Sequence, residues 1–188
     1  MGGISLDFVT PRWESADWIG EFYPEDLPGH WRLAYYSNEF PSVLIPASRW
    51  VSAGADEWAD WVSDVPASFR IYLELSPQFR TGGSTLSIRK ILGHHFAGFL
   101  LGWTPDGTVA EADGLHLFCR DNDSRGKCLP ALYPAGGSCD DLRAARAWLT
   151  GLPRRFGDGP LLVVLDDHRV DAESLRRWWK LAWLLGLA

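Results

Sequence analysis

No apolar run in this chain approaches the ~18–20 residues that a membrane-spanning helix requires. Residues 1–9 lack the basic start and the long apolar stretch of a secretory leader. A cytoplasmic protein with no membrane contact is expected. Basic residues are outnumbered, 18 Lys and Arg against 24 Asp and Glu, for a net charge of −6. A broad nucleic-acid face is therefore not expected, because counterion release needs clustered cations. Cysteine is scarce: Cys119, Cys128 and Cys139. An odd, loosely spaced set predicts reduced thiols rather than a disulfide framework. There is no G-x-S-x-G elbow, no glycine-rich phosphate loop and no closed zinc spacing. No metal and no cofactor are expected.

What is present is apolar and aromatic. Of 188 residues, 46% are hydrophobic, enough for one domain over 1–188 with a real core and too little for two. Eleven tryptophans are many for this length. Most are expected inside, with partners for their indole N–H groups.

The patterning alternates strand and helix. Ile4–Phe8 alternates apolar and polar residues, as a first strand does. Pro28 is placed to open a helix with Leu33, Tyr36 and Phe40 on one face. Val43–Ile45 reads as a second strand, and Trp58, Trp61, Val62 and Val65 as a helix face with Asp56 as its cap. Phe69–Leu75 is a third strand, completing a βαβαβ order that implies a parallel sheet. Residues 81–84 read as a loop and Leu86–Leu92 as a short helix. Two apolar runs, 96–103 and 115–119, are compatible with a hairpin turning at Thr104–Gly107, and 121–137 reads as loop. A helix from Leu142, started by the Ser138/Asp141 spacing and stopped at Gly151, leads to a buried strand at Leu161–Leu165. Asp171 is placed to cap a last helix carrying Leu175, Trp178, Ala182 and Leu185.

Three stretches resemble one known family. Asp17–Pro28 is similar to a W-x-G-x-F-Y-P-x-x-L-P segment, Leu33–Val43 to an L-x-Y-Y-x-x-x-F helix entering the second strand, and Val65–Arg70 to a V-P-x-x-F-x lead into the third. They are carried by the YecE-like family (domain of unknown function seventy-two), mostly uncharacterised bacterial TIM-barrel proteins. The resemblance implies parallel βα units related to a TIM barrel, incomplete or modified here and with the middle hairpin. A full (β/α)₈ barrel takes about 250 residues, and this chain stops near a fifth or sixth unit. The resemblance also implies changed chemistry. Asp7–Pro11 stands where the family has G-T-S-G-W, Val43–Pro46 where it has V-E-I-N, Glu74 where a Lys is frequent, and Val164–Asp167 followed by His168 where it has E-F-R-H.

Candidate chemistry follows from strand ends. Asp166, Asp167 and His168 come after a buried strand, where parallel sheets place their sites. Two carboxylates and an imidazole suit acid–base work or a divalent ion, although a solvated loop before the Asp171 cap is the plainer account. Glu74, at the barrel mouth on the family alignment, is either catalytic or half of an ion pair with Arg49 or Arg70. His94, His95, His116 and Cys119 match no metal spacing. Arg143, Arg146, Arg154 and Arg155 read as a solvated helix face.

The last helix is apolar on nearly every side from Trp178 to Leu187. Such a helix must be covered all round, and an unfinished barrel leaves sticky edges. Trp178, Trp179, Trp183, Leu184 and Leu187 are therefore expected to form an interface, with a second copy of the chain or a dedicated protein partner. The main functional expectation is a non-catalytic interaction or small-ligand-binding protein that self-associates. The alternative is an enzyme with Asp7, Glu74, Asp166, Asp167 and His168 in one pocket, with or without a divalent metal.

Overall fold

The computed structural model describes residues 3–75, 83–101, 117–120, 128–135 and 139–188. Seven strands carry the fold: β1 (Ile4–Val9), β2 (Ser42–Ile45), β3 (Arg70–Leu75), β4 (Phe96–Leu101), β5 (Leu117–Arg120), β6 (Leu129–Leu132) and β7 (Gly159–Val164). Every pairing is parallel, in the order β1-β7-β6-β5-β4-β3-β2. Around the sheet the strands therefore follow chain order, and the two strands at its ends are β1 and β2. These approach each other: Ser42 Oγ donates to the Phe8 carbonyl at 3.1 Å. The result is a nearly closed barrel of the TIM type.

The α-helices among the described residues are α1 (Arg32–Ser37), α2 (Ala47–Val51), α3 (Ala55–Ser63), α4 (Gly83–Leu92), α5 (Leu142–Phe156) and α6 (Ala172–Leu184), with two of them between β2 and β3 and none described between β4 and β6. Side chains alternate in direction along a strand, so each strand feeds two cores. Leu6, Phe8, Val43, Ile45, Ile71, Leu73, Leu161 and Val163 face the helices, where most of the aromatic mass is buried. Val9, Leu44, Tyr72, Leu100, Phe118, Ala131, Leu162 and Val164 fill the barrel interior. Of the tryptophans, Trp13, Trp18, Trp50, Trp58, Trp61 and Trp178 are buried, while Trp31 and Trp183 are exposed. Trp18 donates its indole N–H to the Val170 carbonyl at 3.3 Å, and Trp50 donates to that of Glu74 at 2.8 Å. The aromatic core is anchored to the backbone of neighbouring units through these bonds.

Several sequence expectations are corrected. β4 and β5 pair in parallel, so the two middle runs are not a hairpin. The turn expected at Thr104–Gly107 lies outside the described residues. β6 lies within the stretch read as loop. Its four residues include Pro130, whose lack of an N–H makes so short a strand illegible by composition. The helix α4 starts at Gly83, inside the stretch read as a loop, and the five-residue α2 was not anticipated. Gly54, not Asp56, is the N-cap residue of α3, and Asp56 lies in its first turn. The helix α5 continues through Gly151 and Pro153 and stops at Gly157, whose φ of 71° only glycine adopts easily. Asp141 caps its start, accepting from the N–H groups of Arg143 and Ala144.

The sheet is nearly closed rather than sealed: β1 and β2 end it without pairing, as an incomplete barrel implies, and seven strands bring these ends within hydrogen-bonding reach through Ser42. The last helix, too, is partly covered by the barrel itself. Trp178 is buried, stacked on Phe8 at 6.2 Å and edge-on to Trp148 at 5.5 Å. Beyond the helix, the Leu187 carbonyl accepts the Leu6 N–H at 2.8 Å.

Finally, Cys119 and Cys128 form a disulfide, leaving Cys139 free and buried. Sequence spacing alone suggested reduced thiols. The neighbouring β5 and β6 bring the two Cα atoms to 5.8 Å, within disulfide reach. The bond removes the thiol argument for a cytoplasmic location. No helix among the described residues is long and apolar enough to cross a membrane.

Candidate functional site

The carboxylates singled out in the sequence go to different places. Asp7 lies on the inward side of β1 and is buried. It takes hydrogen bonds from Arg70 and from the Tyr72 hydroxyl, both on β3. Arg70 is the first residue of its strand, so this cluster closes the barrel toward the N-terminal ends of the strands. Burial raises the Asp7 carboxyl above its ordinary value, since the half-exposed Arg70 is screened by solvent and does not fully compensate. Burial also pushes the Tyr72 hydroxyl well above the usual phenol range, with the Asp7 charge acting in the same direction.

Glu74 follows Tyr72 by two residues and shares its inward face. Its Oε2 accepts the Ala47 N–H at 3.1 Å, at the first residue of α2. A carboxylate at that point satisfies an otherwise unpaired helix donor. Neither expected arginine pairs with it. Arg49 bonds Glu14, at 2.7 Å through Nε, and also Glu57, and its guanidinium lies over the Trp61 ring. That network ties the loop after β1 to α2 and α3. Arg70 is taken by Asp7.

The Asp-Asp-His run divides in the same way. Asp167 accepts from the backbone N–H of Arg169 at 2.9 Å and from its guanidinium at 3.0 Å. These bonds hold its carboxyl well below the usual range. His168 is exposed, with 83% of its side chain accessible, 3.4 Å from Asp167. Asp171 accepts the Ser174 N–H at 2.7 Å and caps α6 as expected. Asp166 alone continues the inward face of β7, two residues past Val164. Desolvation raises its carboxyl above the ordinary value, opposed by the positive charges of Arg12 and Arg120 and reinforced by Asp167.

Those two arginines, with Tyr133, are what sequence reasoning missed. Arg120 ends β5 two residues after the inward Phe118, and its guanidinium lies 4.3 Å from the Tyr133 ring centroid. Tyr133 stands two residues after the inward Ala131 and packs on the interior cluster. Arg12 belongs to the loop after β1; its N–H is held by Thr10 Oγ1 at 3.1 Å and its guanidinium by Asp17 at 2.9 Å. Arg12 Nε is buried without an acceptor among the described residues. The Phe118–Arg120 alternation was a usable signal for Arg120. Tyr133 had none, because β6 was not recognisable.

The mouth thus has two unlike halves. On the β2–β3 side Glu74 is committed to α2. On the β5–β6–β7–β1 side, Arg120, Tyr133, Asp166 and Arg12 gather at consecutive strand ends, and neither Arg120 nor Asp166 has a side-chain hydrogen bond among the described residues. No group of three or more His, Cys, Asp or Glu suited to a metal occurs among the described residues. His95 is buried and bonds the Phe69 carbonyl at 2.9 Å, its ring 4.0 Å from that of His94. His116 lies outside the described residues. The four arginines of α5 are exposed, as a solvated face.

A parallel sheet curled nearly shut, with its unspent side chains at the strand C-termini, defines a TIM-type barrel. Residues 8–98 match the model of the family described as a protein of unknown function, DUF72. The matched stretch contains the motifs between Asp17 and Arg70 that resemble the YecE-like family. Two solved structures of a DUF72 family protein from Enterococcus faecalis V583 are similar to it. One has a TM-score of 0.60 at 10% identity, covering 100% of both chains. The other has a TM-score of 0.57 at 9% identity, covering 97% of this chain and 96% of that one. A DUF72 family protein from Thermotoga maritima MSB8 gives a TM-score of 0.50 at 11% identity, covering 97% and 99%. At such identities the likeness shows the fold alone. No curated protein matches the chain.

Proposed function

We propose that this barrel is a non-catalytic small-ligand-binding protein whose ligand sits at the C-terminal mouth, on the β5–β6–β7–β1 side. One observation carries this reading: Arg120, over the Tyr133 ring, and Asp166 stand at neighbouring strand ends, and among the described residues neither has a side-chain hydrogen bond. Of the groups suited to acid–base catalysis, all but Asp166 are committed elsewhere or face solvent. Glu74 serves α2, Asp167 serves the turn before α6, Asp7 serves the lower interior, and His168 faces solvent. Binding sites of this kind combine an aromatic wall with a few placed polar groups.

Self-association through α6 remains part of the reading on narrower support. Trp178 is buried within the chain, and Trp179 and Leu187 pack partly against the core. Trp183 and Leu184 are 59% and 64% exposed. A second copy of the chain is the occupant proposed for this pair.

The binding claim is tested by thermal-shift screening of neutral and charged metabolite-sized compounds against the wild type and Tyr133→Ala. Ligands that raise the melting temperature of the wild type but not of the variant are expected. Stabilisation that is the same in both proteins, or none at all, overturns the reading.

A further inference from the structure

The ligand class follows from the charges around Tyr133, and the inference rests on the mouth-binding reading above. Arg120 lies against the Tyr133 ring at 4.3 Å. A guanidinium over an aromatic face can still offer N–H groups, which match oxyanions in a bidentate way. Arg12 lies on the loop after β1, three strands along the sheet from β5. The β1–β7 register pairs Val9 with Val164, and the Leu165 N–H bonds the Val9 carbonyl at 2.8 Å, so the loop carrying Arg12 starts beside Asp166. Part of the Arg12 guanidinium is satisfied by Asp17 and by Ser15 Oγ at 3.2 Å. Its Nε is a buried donor with no acceptor among the described residues, the kind of group that awaits a partner. Among the described residues, Asp17 is paired with Arg12, and Asp166, on which both cations act, bonds neither of them.

We infer that the mouth binds a small oxyanion-bearing ligand, a phosphate-, sulfate- or carboxylate-type group held between Arg120 and Arg12, with Asp166 opposing a bare dianion. This assignment has a consequence of unusual sign. Removing a positive group weakens binding, whereas removing the negative charge of Asp166 tightens it. Net protein charge, already negative, does not by itself favour an anion.

The test uses inorganic sulfate, which is fully ionised near neutral pH and donates no hydrogen bond. It is titrated into the full chain at constant ionic strength with chloride as the replaced anion, and followed by tryptophan fluorescence and by calorimetry. Saturable binding is expected. Arg120→Gln should weaken it by about tenfold or more, as loss of a charge-assisted fork does. Arg120→Lys, which keeps charge without the fork, should fall between. Arg12→Gln should weaken binding severalfold, and Asp166→Asn should tighten it severalfold. Far-ultraviolet circular dichroism of each variant establishes folding, and Arg120→Lys keeps the test open should the glutamine variant unfold.

Absence of saturable sulfate binding, or affinities unmoved by Arg120→Gln, overturns the inference. A neutral compound that stabilises the wild type through Tyr133 while sulfate does not bind sinks the oxyanion class alone and leaves the mouth-binding reading standing. Failure of both experiments removes the two together.

Discussion

Ser42 on β2 donates its hydroxyl to the Phe8 carbonyl on β1 across 3.1 Å, the place where the two ends of the sheet meet. The Ser42 side chain is fully buried, and the Ser42 carbonyl in turn accepts the Tyr36 hydroxyl at 3.1 Å. Ser42 therefore links, through its side chain, the strands that would otherwise be open edges, and ties them to α1 through its carbonyl.

Ser42→Ala should cost about 1 kcal/mol of unfolding free energy, the usual net worth of a buried neutral hydrogen bond. Urea denaturation measures it. A valine, which adds apolar bulk without a donor, should cost more than the alanine.

The Asp7 cluster should impose a pH dependence opposite to that of an ordinary paired aspartate. Burial raises the folded-state value of Asp7 above the unfolded one. Between those two values the native state binds more protons than the unfolded state. Stability from this group is therefore fully present below the unfolded value and is lost as pH rises through the raised one. The difference in unfolding free energy between the wild type and Asp7→Asn should shift against the wild type across that window. A difference that moves the other way, or stays flat, would show that Arg70 outweighs burial.

Glu74→Ala should cost about 1 kcal/mol, as loss of a helix N-cap acceptor does, while Glu74→Gln, which keeps an oxygen for the Ala47 N–H, should be nearly neutral. Neither should alter sulfate affinity by more than about twofold, less than any charge-assisted bond is worth. Calorimetric titration beside the denaturation curves checks both parts.

Substitutions on α6 should separate core from surface. Trp178→Ala should cost about 3–5 kcal/mol through the cavity it leaves against Phe8 and Trp148. Trp183→Ser with Leu184→Ser should stay within about 0.5 kcal/mol per site and should reduce the mass measured by light scattering after size exclusion. A wild type that is monomeric at every concentration ends the self-association part of the proposal.

Thiol counting tests the link between β5 and β6. Unfolded without reductant, the chain should react with a maleimide at Cys139 alone, and after reduction at all three cysteines. Reduction should also lower stability by roughly 2–3 kcal/mol if the short loop behaves as chain-entropy arguments suggest.

Much of the first half was legible. Ile4–Phe8, Val43–Ile45 and Phe69–Leu75 lie within a residue or two of β1, β2 and β3, because a strand buried on one or both faces shows its apolar period directly. The cap at Asp171 was readable for the same local reason, one side chain bonding a donor three residues away; the Ser138/Asp141 spacing marked the start of α5, whose cap is Asp141 itself. The second half was harder. β6 is four residues long and contains a proline, and neither length nor composition distinguishes it from a loop. The site suffered similarly. Asp166 was found because it follows a continuous apolar run, whereas Arg120, Tyr133 and Arg12 become neighbours only through pairing of β5, β6, β7 and β1.

The sequence by itself determined the first βα units, the aromatic core, the family resemblance and the start of the last helix, since all of these depend on residues close together along the chain. Only the tertiary structure decided that seven strands suffice to bring β2 back to β1, that two of the three cysteines bond, and which charges are left at the mouth. Those outcomes depend on which strands become neighbours and on which hydrogen-bonding groups the fold consumes. Both are set by contacts between residues far apart in sequence, such as Asp7 with Tyr72 and Ser42 with Phe8, which no local pattern encodes.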